Sequence, residues 1–123
     1  MQRAATFFGS SIGKKVVMAA TGLVLYGFVI GHMVGNLQIY LGPKAINDYG
    51  EFLAHFLHGQ GIWIARGTLL LAVGLHIWAA TTLTLSNWSA RPVGYRDWQA
   101  RESTYASRTM VWSGPLLAAF IVY

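Results

Sequence analysis

The sequence predicts an all-α integral membrane protein, a bundle of transmembrane helices, and three observations support this fold class. Only 11% of the 123 residues are charged and 54% are hydrophobic, whereas a soluble domain carries about 25% charged residues. No charged residue occurs from position 16 to position 40, and about 20 apolar residues are enough to cross a bilayer. A second apolar run covers 62–85 and is interrupted only by Arg66.

The first predicted span, 16–40, follows a mixed N-terminal segment that carries Arg3, Lys14 and Lys15. A secretory signal peptide is the competing interpretation, but its apolar core is only about 7–15 residues long and ends at a small-residue cleavage site. The charge-free run is longer than that and continues without such a site. We therefore expect a retained transmembrane helix.

A polar connection, 41–61, separates the first span from the second. Gly42 and Pro43 are expected to end the first helix. The later part of the connection, 45–58, predicts a short amphipathic helix that lies along the membrane surface. The second span is predicted over 62–85.

The third apolar run, 110–123, follows a second polar connection over 86–109. Its residues, at 1.5 Å each, reach roughly 21 Å, which is less than the ~30 Å of the hydrocarbon core. We therefore expect an incomplete third span, as in a fragment or a truncated chain. The whole of 1–123 is predicted to be one membrane-anchor domain.

The basic residues predict the orientation of the spans. Three Lys or Arg residues lie in the N-terminal segment, one lies in 41–61, and four lie in 86–109. The positive-inside rule places the N-terminus and the second connection in the cytoplasm and the first connection outside. The net charge of +5 then needs no nucleic acid to explain it. The four basic residues of the second connection are Arg91, Arg96, Arg101 and Arg108. The interfacial aromatic residues agree with this orientation: Trp88 and Trp98 on the cytoplasmic side, and Tyr40 and Trp63 on the outer side.

Two of the four histidines, His32 and His76, fall inside predicted spans. An ionisable side chain at membrane depth is expensive and indicates function, although a neutral histidine that is hydrogen-bonded to a neighbouring helix is the alternative. Counted from cytoplasmic edges at 16 and 85, His32 lies about 24 Å deep and His76 about 14 Å deep. Because the two axial ligands of one haem face each other at one level, this offset predicts two haems. Each haem takes one of these histidines and one from a helix outside the sequence.

The absence of cysteine limits the cofactor chemistry of the chain. It excludes disulfides, thiolate metal sites and cysteine-ligated iron–sulfur clusters.

Gly27, Gly31 and Gly35 recur every four residues beside the first histidine. Such spacing allows close helix packing, and the same lack of side chains suits the edge of a porphyrin.

Arg66 and Glu51 are the charged candidates on the outer side. Arg66 lies inside the outer edge of the second span, where it either snorkels to the interface or pairs with a haem propionate or a polar quinone site. Glu51 is either a solvated carboxylate or the group that takes a proton from a quinol oxidised near the outer haem.

The stretch KKVVMAATGLVLYGFVIGHMVGNL, followed by GPKAINDYGEFL, resembles the single-chain cytochrome b anchor of succinate dehydrogenases and fumarate reductases, in its di-haem form with five spans. WIARGTLLLAVGLHIWAATTL resembles the second span of that family, and ASRTMVWSGPLLAAFIVY resembles the start of its third. The resemblance extends from Ser11 to Tyr123. Its most specific part is the series TGL, GHM and GNL.

The resemblance implies that four histidines on four helices bind two b haems. His32 resembles a ligand of the haem nearer the outer face, and His76 a ligand of the haem nearer the cytoplasm. Their partners are expected beyond Tyr123. By their position at the mouth of the third span, Arg108 and Ser113 are candidate contacts of a haem propionate.

The resemblance also implies the partners and the place of the chain. Quinone, often menaquinone, reacts near the outer haem, where Glu51 falls at the position of an acidic residue of the family. Electrons pass to or from an iron–sulfur subunit and a flavoprotein subunit docked on the cytoplasmic side of the bacterial inner membrane. The chain itself is not expected to oxidise succinate, since nothing in it resembles a dinucleotide-binding fold.

Other interpretations stay open. In two-subunit anchors a haem-ligand histidine is followed soon by Gly-x-Arg-His, whereas His76 is followed by IWAATTLTLSN. A different di-haem cytochrome b, such as the anchor of a hydrogenase or a formate dehydrogenase, is the second candidate. A haemless structural anchor or a transporter segment, with histidines for packing or proton relay, is the third.

Overall fold

A computed structural model of the chain describes residues 2–94, 96, 99 and 102–123, and side chains from residue 6 onward. Every regular element in these residues is helical, which confirms the all-α part of the prediction. The elements are α1 (Gln2–Gly9), α2 (Ser11–Asn36), a 3₁₀ helix (Leu37–Leu41), α3 (Pro43–His55), α4 (Gly61–Ser89) and α5 (Tyr105–Val122). Trp98, Arg101 and the side chain of Arg3, to which the sequence assigned roles in the orientation, lie outside the described residues.

The chain forms two compact units, Met1–Leu83 and Thr84–Tyr123. The first unit contains α1, α2, the 3₁₀ helix, α3 and most of α4. The second contains the end of α4, the polar connection and α5.

Two helices are long and apolar enough to cross a membrane. One is Ser11–Leu41, which joins α2 to the 3₁₀ helix and has a mean hydropathy of 1.8, and the other is α4, at 1.6. Only 6% of the first apolar window and 17% of the second are buried within the chain. Such exposed apolar surface is suited to lipid or to further helices. The predicted spans 16–40 and 62–85 lie inside these helices, and each helix extends further at the end predicted to be cytoplasmic.

The N-terminal segment contains a helix, α1, that hydropathy alone did not predict. Ser10 separates α1 from α2 and caps α2, because its Oγ accepts a hydrogen bond from the Gly13 N–H at 3.0 Å. The same hydroxyl donates to the Phe7 carbonyl at 2.7 Å. A Cβ atom at position 13 would lie 1.9 Å from that carbonyl oxygen, so the corner between the two helices accepts only glycine.

The chain reverses direction after the 3₁₀ helix and packs α3 against the end of α2. Gly42 has a φ of +104°, and Pro43 follows as the first residue of α3, where its missing N–H is not needed. The predicted amphipathic helix therefore starts two residues earlier than expected. Tyr49 of α3 packs on Gly35 of α2, where a Cβ atom would lie 2.6 Å from the tyrosine oxygen.

The turn between α3 and α4 contains left-handed residues. α3 ends three residues before the predicted end at 58. Leu57 and His58 have φ angles of +51° and +56°, and Gly59 has +82°. The turn closes through a hydrogen bond from the Gly61 N–H to the Phe56 carbonyl at 3.1 Å, and α4 begins at the donor residue.

Helices α2 and α4 run antiparallel and contact each other where His76 meets Met18 and Thr21. Ala72, Ala79 and Leu83 are buried on α4, at a spacing that places them on one face. Thr21 is buried on α2. Beside this contact lies a shallow apolar groove, lined on α2 by Ala20, Thr21 and Val24 and on α4 by Thr68, Leu71 and Ala72.

In the second unit, α5 begins after Thr104, whose hydroxyl accepts a hydrogen bond from the Ser107 N–H at 3.2 Å. The helix has 18 residues and contains Pro115. It starts five residues before the predicted position of 110, so it reaches about 27 Å rather than the expected 21 Å. The number of spans and their assembly into a membrane bundle stay predictions.

Candidate functional site

His76, on α4, lies against the backbone of α2. Its Nδ1 is 3.1 Å from the Met18 carbonyl oxygen and 3.0 Å from the Thr21 hydroxyl oxygen. Because a carbonyl oxygen can only accept a hydrogen bond, Nδ1 carries the ring proton. Nε2 is then the unprotonated nitrogen of the neutral ring, and it makes no hydrogen bond to any residue that the structure describes.

Gly22 gives the imidazole room to lie flat against α2. A Cβ atom at this position would be 3.3 Å from Cε1 of His76 and 3.7 Å from its Nδ1. Sequence reasoning did not single out Met18, Thr21 or Gly22. The one available signal was the Thr-Gly pair inside the TGL stretch, and such a pair is common in apolar helices for packing reasons alone.

His32, on α2, is exposed and its contacts among the described residues are with its own helix. Its ring lies 5.3 Å from the ring of Phe28, centroid to centroid. The Asn36 amide nitrogen donates to the His32 carbonyl at 2.7 Å and lies 3.3 and 3.4 Å from the two ring nitrogens. The structure thus leaves this imidazole open to an additional partner, without selecting one of its nitrogens.

The two histidines lie at different levels of the antiparallel pair. His76 is level with Thr21, and His32 is eleven residues further along α2, which is about 16 Å. The sequence predicted an offset of about 10 Å. The sequence estimate took position 16 to be level with 85 and could not use the contact between Thr21 and His76. That the two histidines bind different irons stays a prediction.

Arg66 lies near the level of His32. It is ten residues from His76, about 15 Å, in the same direction along the pair. Its guanidinium lies 5.1 Å from the ring centroid of Trp63, in a cation–π contact, and both residues are exposed. The pairing of Arg66 with a haem propionate or a quinone site stays a prediction.

Glu51 is exposed on α3, and its carboxylate makes no ion pair with any described residue. Its carbonyl oxygen accepts a hydrogen bond from Nδ1 of His55 at 2.9 Å. Glu51 follows Tyr49 by two residues, about 200° around the helix axis, so it lies on the face of α3 that is turned away from α2. The structure does not bring Glu51 to His32, and its role in proton transfer stays a prediction.

Arg108 and Ser113 lie on α5, in the second unit, and both are exposed. The Ser113 hydroxyl donates to the Met110 carbonyl at 3.4 Å. Their assignment as propionate contacts stays a prediction.

The two intramembrane histidines are single imidazoles and do not belong to a cluster of metal ligands within the described residues. Among the described residues no group of three or more His, Asp, Glu or Cys side chains is placed to hold a metal ion. A haem iron, which the porphyrin already holds, needs only single imidazoles. Of the two histidines, His76 has its ring orientation and its free nitrogen already set, and His32 has neither.

No protein-family model, curated protein or solved structure matches the chain. Its function has to be inferred from its own residues, above all from the two histidines and the helices that hold them.

Proposed function

We propose that the chain is a haem b-binding, quinone-reactive membrane anchor of a succinate:quinone oxidoreductase. The observation that carries this proposal is the hydrogen bond from Nδ1 of His76 to the Met18 carbonyl. Histidines that bind a metal almost always donate their other ring N–H to a carbonyl, a carboxylate or water, which fixes the tautomer. Here that bond leaves Nε2 as a free electron-pair donor on an apolar helix. The resemblance of the apolar stretches to the di-haem anchors supports the same conclusion.

One-electron transfer is the chemistry that a b haem supplies when it is bound. His76 offers Nε2 to the haem on the cytoplasmic side, while Gly22 leaves room for the ring. His32 offers a ring nitrogen about 16 Å away on the outer side. Arg66, at that height, pairs its guanidinium with a propionate, and Arg108 and Ser113 are further candidates for such contacts.

In this proposal the chain connects the quinone pool to partners on the cytoplasmic side. Those partners are an iron–sulfur subunit and a flavoprotein subunit, and the flavoprotein carries the reaction of succinate. Glu51 takes a proton from the quinol, with menaquinone the expected species. The proposed location is the bacterial cytoplasmic membrane, with the N-terminus inside.

The first test is a dithionite-reduced minus oxidised spectrum, with pyridine-haemochrome quantitation, of the complex purified from its native membrane. We expect about two b haems per anchor, because His32 and His76 would each ligate a different haem. His76→Ala and His32→Ala should each remove one haem. His58→Asn is the matched control: it removes an imidazole from the turn before α4, and asparagine tolerates the φ of +56° at this position.

Two results would contradict the proposal. A wild-type complex without haem excludes it outright. A single haem that survives His32→Ala excludes the role of His32 and favours an anchor of the two-subunit type. Co-purification with hydrogenase or formate dehydrogenase subunits, rather than with a flavoprotein, identifies the other cytochrome b class.

A haemless structural anchor is the second candidate, and one observation favours it. The bond of His76 to Thr21 and Met18 joins α2 to α4, which is what a packing histidine does in a helix pair. In that case His76→Ala loosens the contact between the helices, and no chromophore is present to be lost. The haem spectrum distinguishes the two candidates.

A further inference from the structure

We infer that Thr21 is a positioning residue for His76: its hydroxyl oxygen accepts the Nδ1 proton and, with the Met18 carbonyl, holds the ring with Nε2 free. The consequence for a bound haem rests on the proposed function. The tautomer of His76 does not rest on the proposed function, because it follows from contacts within the chain.

The direction of each hydrogen bond follows from the donors and acceptors present. The Thr21 hydroxyl is 2.7 Å from the Val17 carbonyl and 3.2 Å from the Met18 carbonyl, both earlier on the same helix, and donates its proton to the nearer of the two. Its lone pairs therefore face Nδ1 of His76 at 3.0 Å. The opposite arrangement, with the hydroxyl donating to an unprotonated Nδ1, would set that nitrogen's lone pair against the Met18 carbonyl oxygen at 3.1 Å.

Two acceptors restrain the ring more than one would. The Met18 carbonyl lies in the middle of α2, so one of its lone pairs already accepts the helical hydrogen bond. The Thr21 hydroxyl adds a second oxygen one turn further along the same face. Thr21 is itself buried, with 8% of its surface exposed, so water does not readily take its place as an acceptor.

A ligand that donates a strong hydrogen bond from Nδ1 is a more basic donor at Nε2. Greater basicity favours the oxidised iron, so Thr21 lowers the midpoint potential of the haem that His76 holds. Removing an outer hydrogen-bond partner of this kind typically changes metal affinity or activity by about 10–100-fold. Because the Met18 carbonyl remains, we expect Thr21→Val to change the redox equilibrium constant by about threefold to tenfold, where tenfold is 59 mV for one electron.

The experiment is a redox titration of the b haems in native membranes with Thr21→Val, Thr21→Ser and Thr109→Val. Valine keeps the shape of threonine without its hydroxyl, and serine keeps the hydroxyl. Thr109 is the matched control, because its hydroxyl donates to the Tyr105 carbonyl at 3.0 Å in the same way, on a helix without histidine. We expect Thr21→Val to raise the potential of the haem lost in His76→Ala, and the other two variants to match the wild type.

A Thr21→Val variant with both potentials unchanged overturns the inference for the haem, and so does an equal shift of both haems. Loss of the His76 haem in Thr21→Val with full content in Thr21→Ser supports it. A shift that serine does not restore overturns it, since threonine then acts through packing.

A second readout needs no haem. The ¹⁵N shifts of His76 are measured by NMR at pH 8 on the haem-free 123-residue chain in lipid nanodiscs. The wild type and Thr21→Ser should show protonated Nδ1 and unprotonated Nε2, and Thr21→Val should gain the Nε2–H form. A wild type with Nε2 protonated overturns the inference. If the native complex contains no haem but this pattern is found, the proposed function fails and the positioning by Thr21 holds.

Discussion

At the scale of single residues, the two histidines of the apolar helices have different surroundings. His76 donates its Nδ1 proton to oxygens of a neighbouring helix, whereas His32 lies exposed beside Phe28 and Asn36 of its own helix. A hydrogen bond of this kind contributes only about 1 kcal/mol to stability. Its larger effect is to choose one tautomer and one ring orientation.

Gly22 provides a test of this orientation. Gly22→Leu should displace the His76 ring, because even a Cβ atom would lie 3.3 Å from Cε1. We expect the haem assigned to His76 to fall at least several-fold in the pyridine-haemochrome assay, and the other haem to stay. Gly114→Leu is the control, since a Cβ atom there meets nothing within 4 Å. Full haem content in Gly22→Leu would show that haem binding does not depend on the space that Gly22 leaves for the His76 ring.

At the scale of the elements, two close contacts of glycine define how the helices of the first unit join. Gly13 lets the start of α2 touch the Phe7 carbonyl of α1, and Gly35 receives Tyr49 of α3. The second contact brings α3 to the end of α2 that carries His32. The same geometry turns Glu51 away from that histidine, because the two residues that separate Glu51 from Tyr49 carry it to the other face of α3.

The corner between α1 and α2 is sensitive to a single methyl group. Gly13→Ala places a Cβ atom 1.9 Å from the Phe7 carbonyl oxygen, so α1 has to move away. We expect a destabilisation of about 1–3 kcal/mol, the usual range for overpacking, seen as faster amide hydrogen exchange in α1. Gly9→Ala serves as the comparison, because a Cβ atom at position 9 has open space around it. Equal exchange rates in both variants would show that the close contact between Gly13 and the Phe7 carbonyl does not hold α1 in place.

At the scale of the whole molecule, most of the large apolar side chains of α2, α4 and α5 are exposed. Among the described residues Ala72, Ala79 and Leu83 are the hydrophobic residues that are buried. Apolar area of this extent costs about 25 cal/mol for each Å² that stays in water. Such a surface is suited to lipid or to further helices around the two long apolar helices.

The orientation predicted from the basic residues is open to a direct test, because the chain contains no cysteine. Asn47→Cys on α3 and Ser103→Cys before α5 each place a single thiol at an exposed position. With a membrane-impermeant maleimide we expect intact cells to label position 47 and inside-out vesicles to label position 103. The reverse pattern would overturn the cytoplasmic placement of the N-terminus, and labelling of both positions from one side would mean that α4 does not cross the membrane.

Much of the fold could be predicted from the sequence alone, and the contacts of the candidate site could not. Hydropathy and charge act locally, so they predicted the two long apolar helices, an amphipathic helix near 45–58 and a helix near 110–123. They missed α1, which is short and mixed in composition. The offset between His32 and His76 was underestimated because it depends on helix register, which hydropathy does not report.

The sequence by itself determined the helical class, the places of two apolar helices long enough to cross a membrane, and which histidines lie within them, since these follow from the order of polar and apolar residues. Only the tertiary structure decided that the Met18 carbonyl and the Thr21 hydroxyl meet the ring of His76. Thr21 and His76 are 55 positions apart, and two helices that are apolar on most sides can pack in many registers. The contact is selected by shape and hydrogen bonding where the helices meet, namely the space at Gly22 and the pairing of one donor with two acceptors.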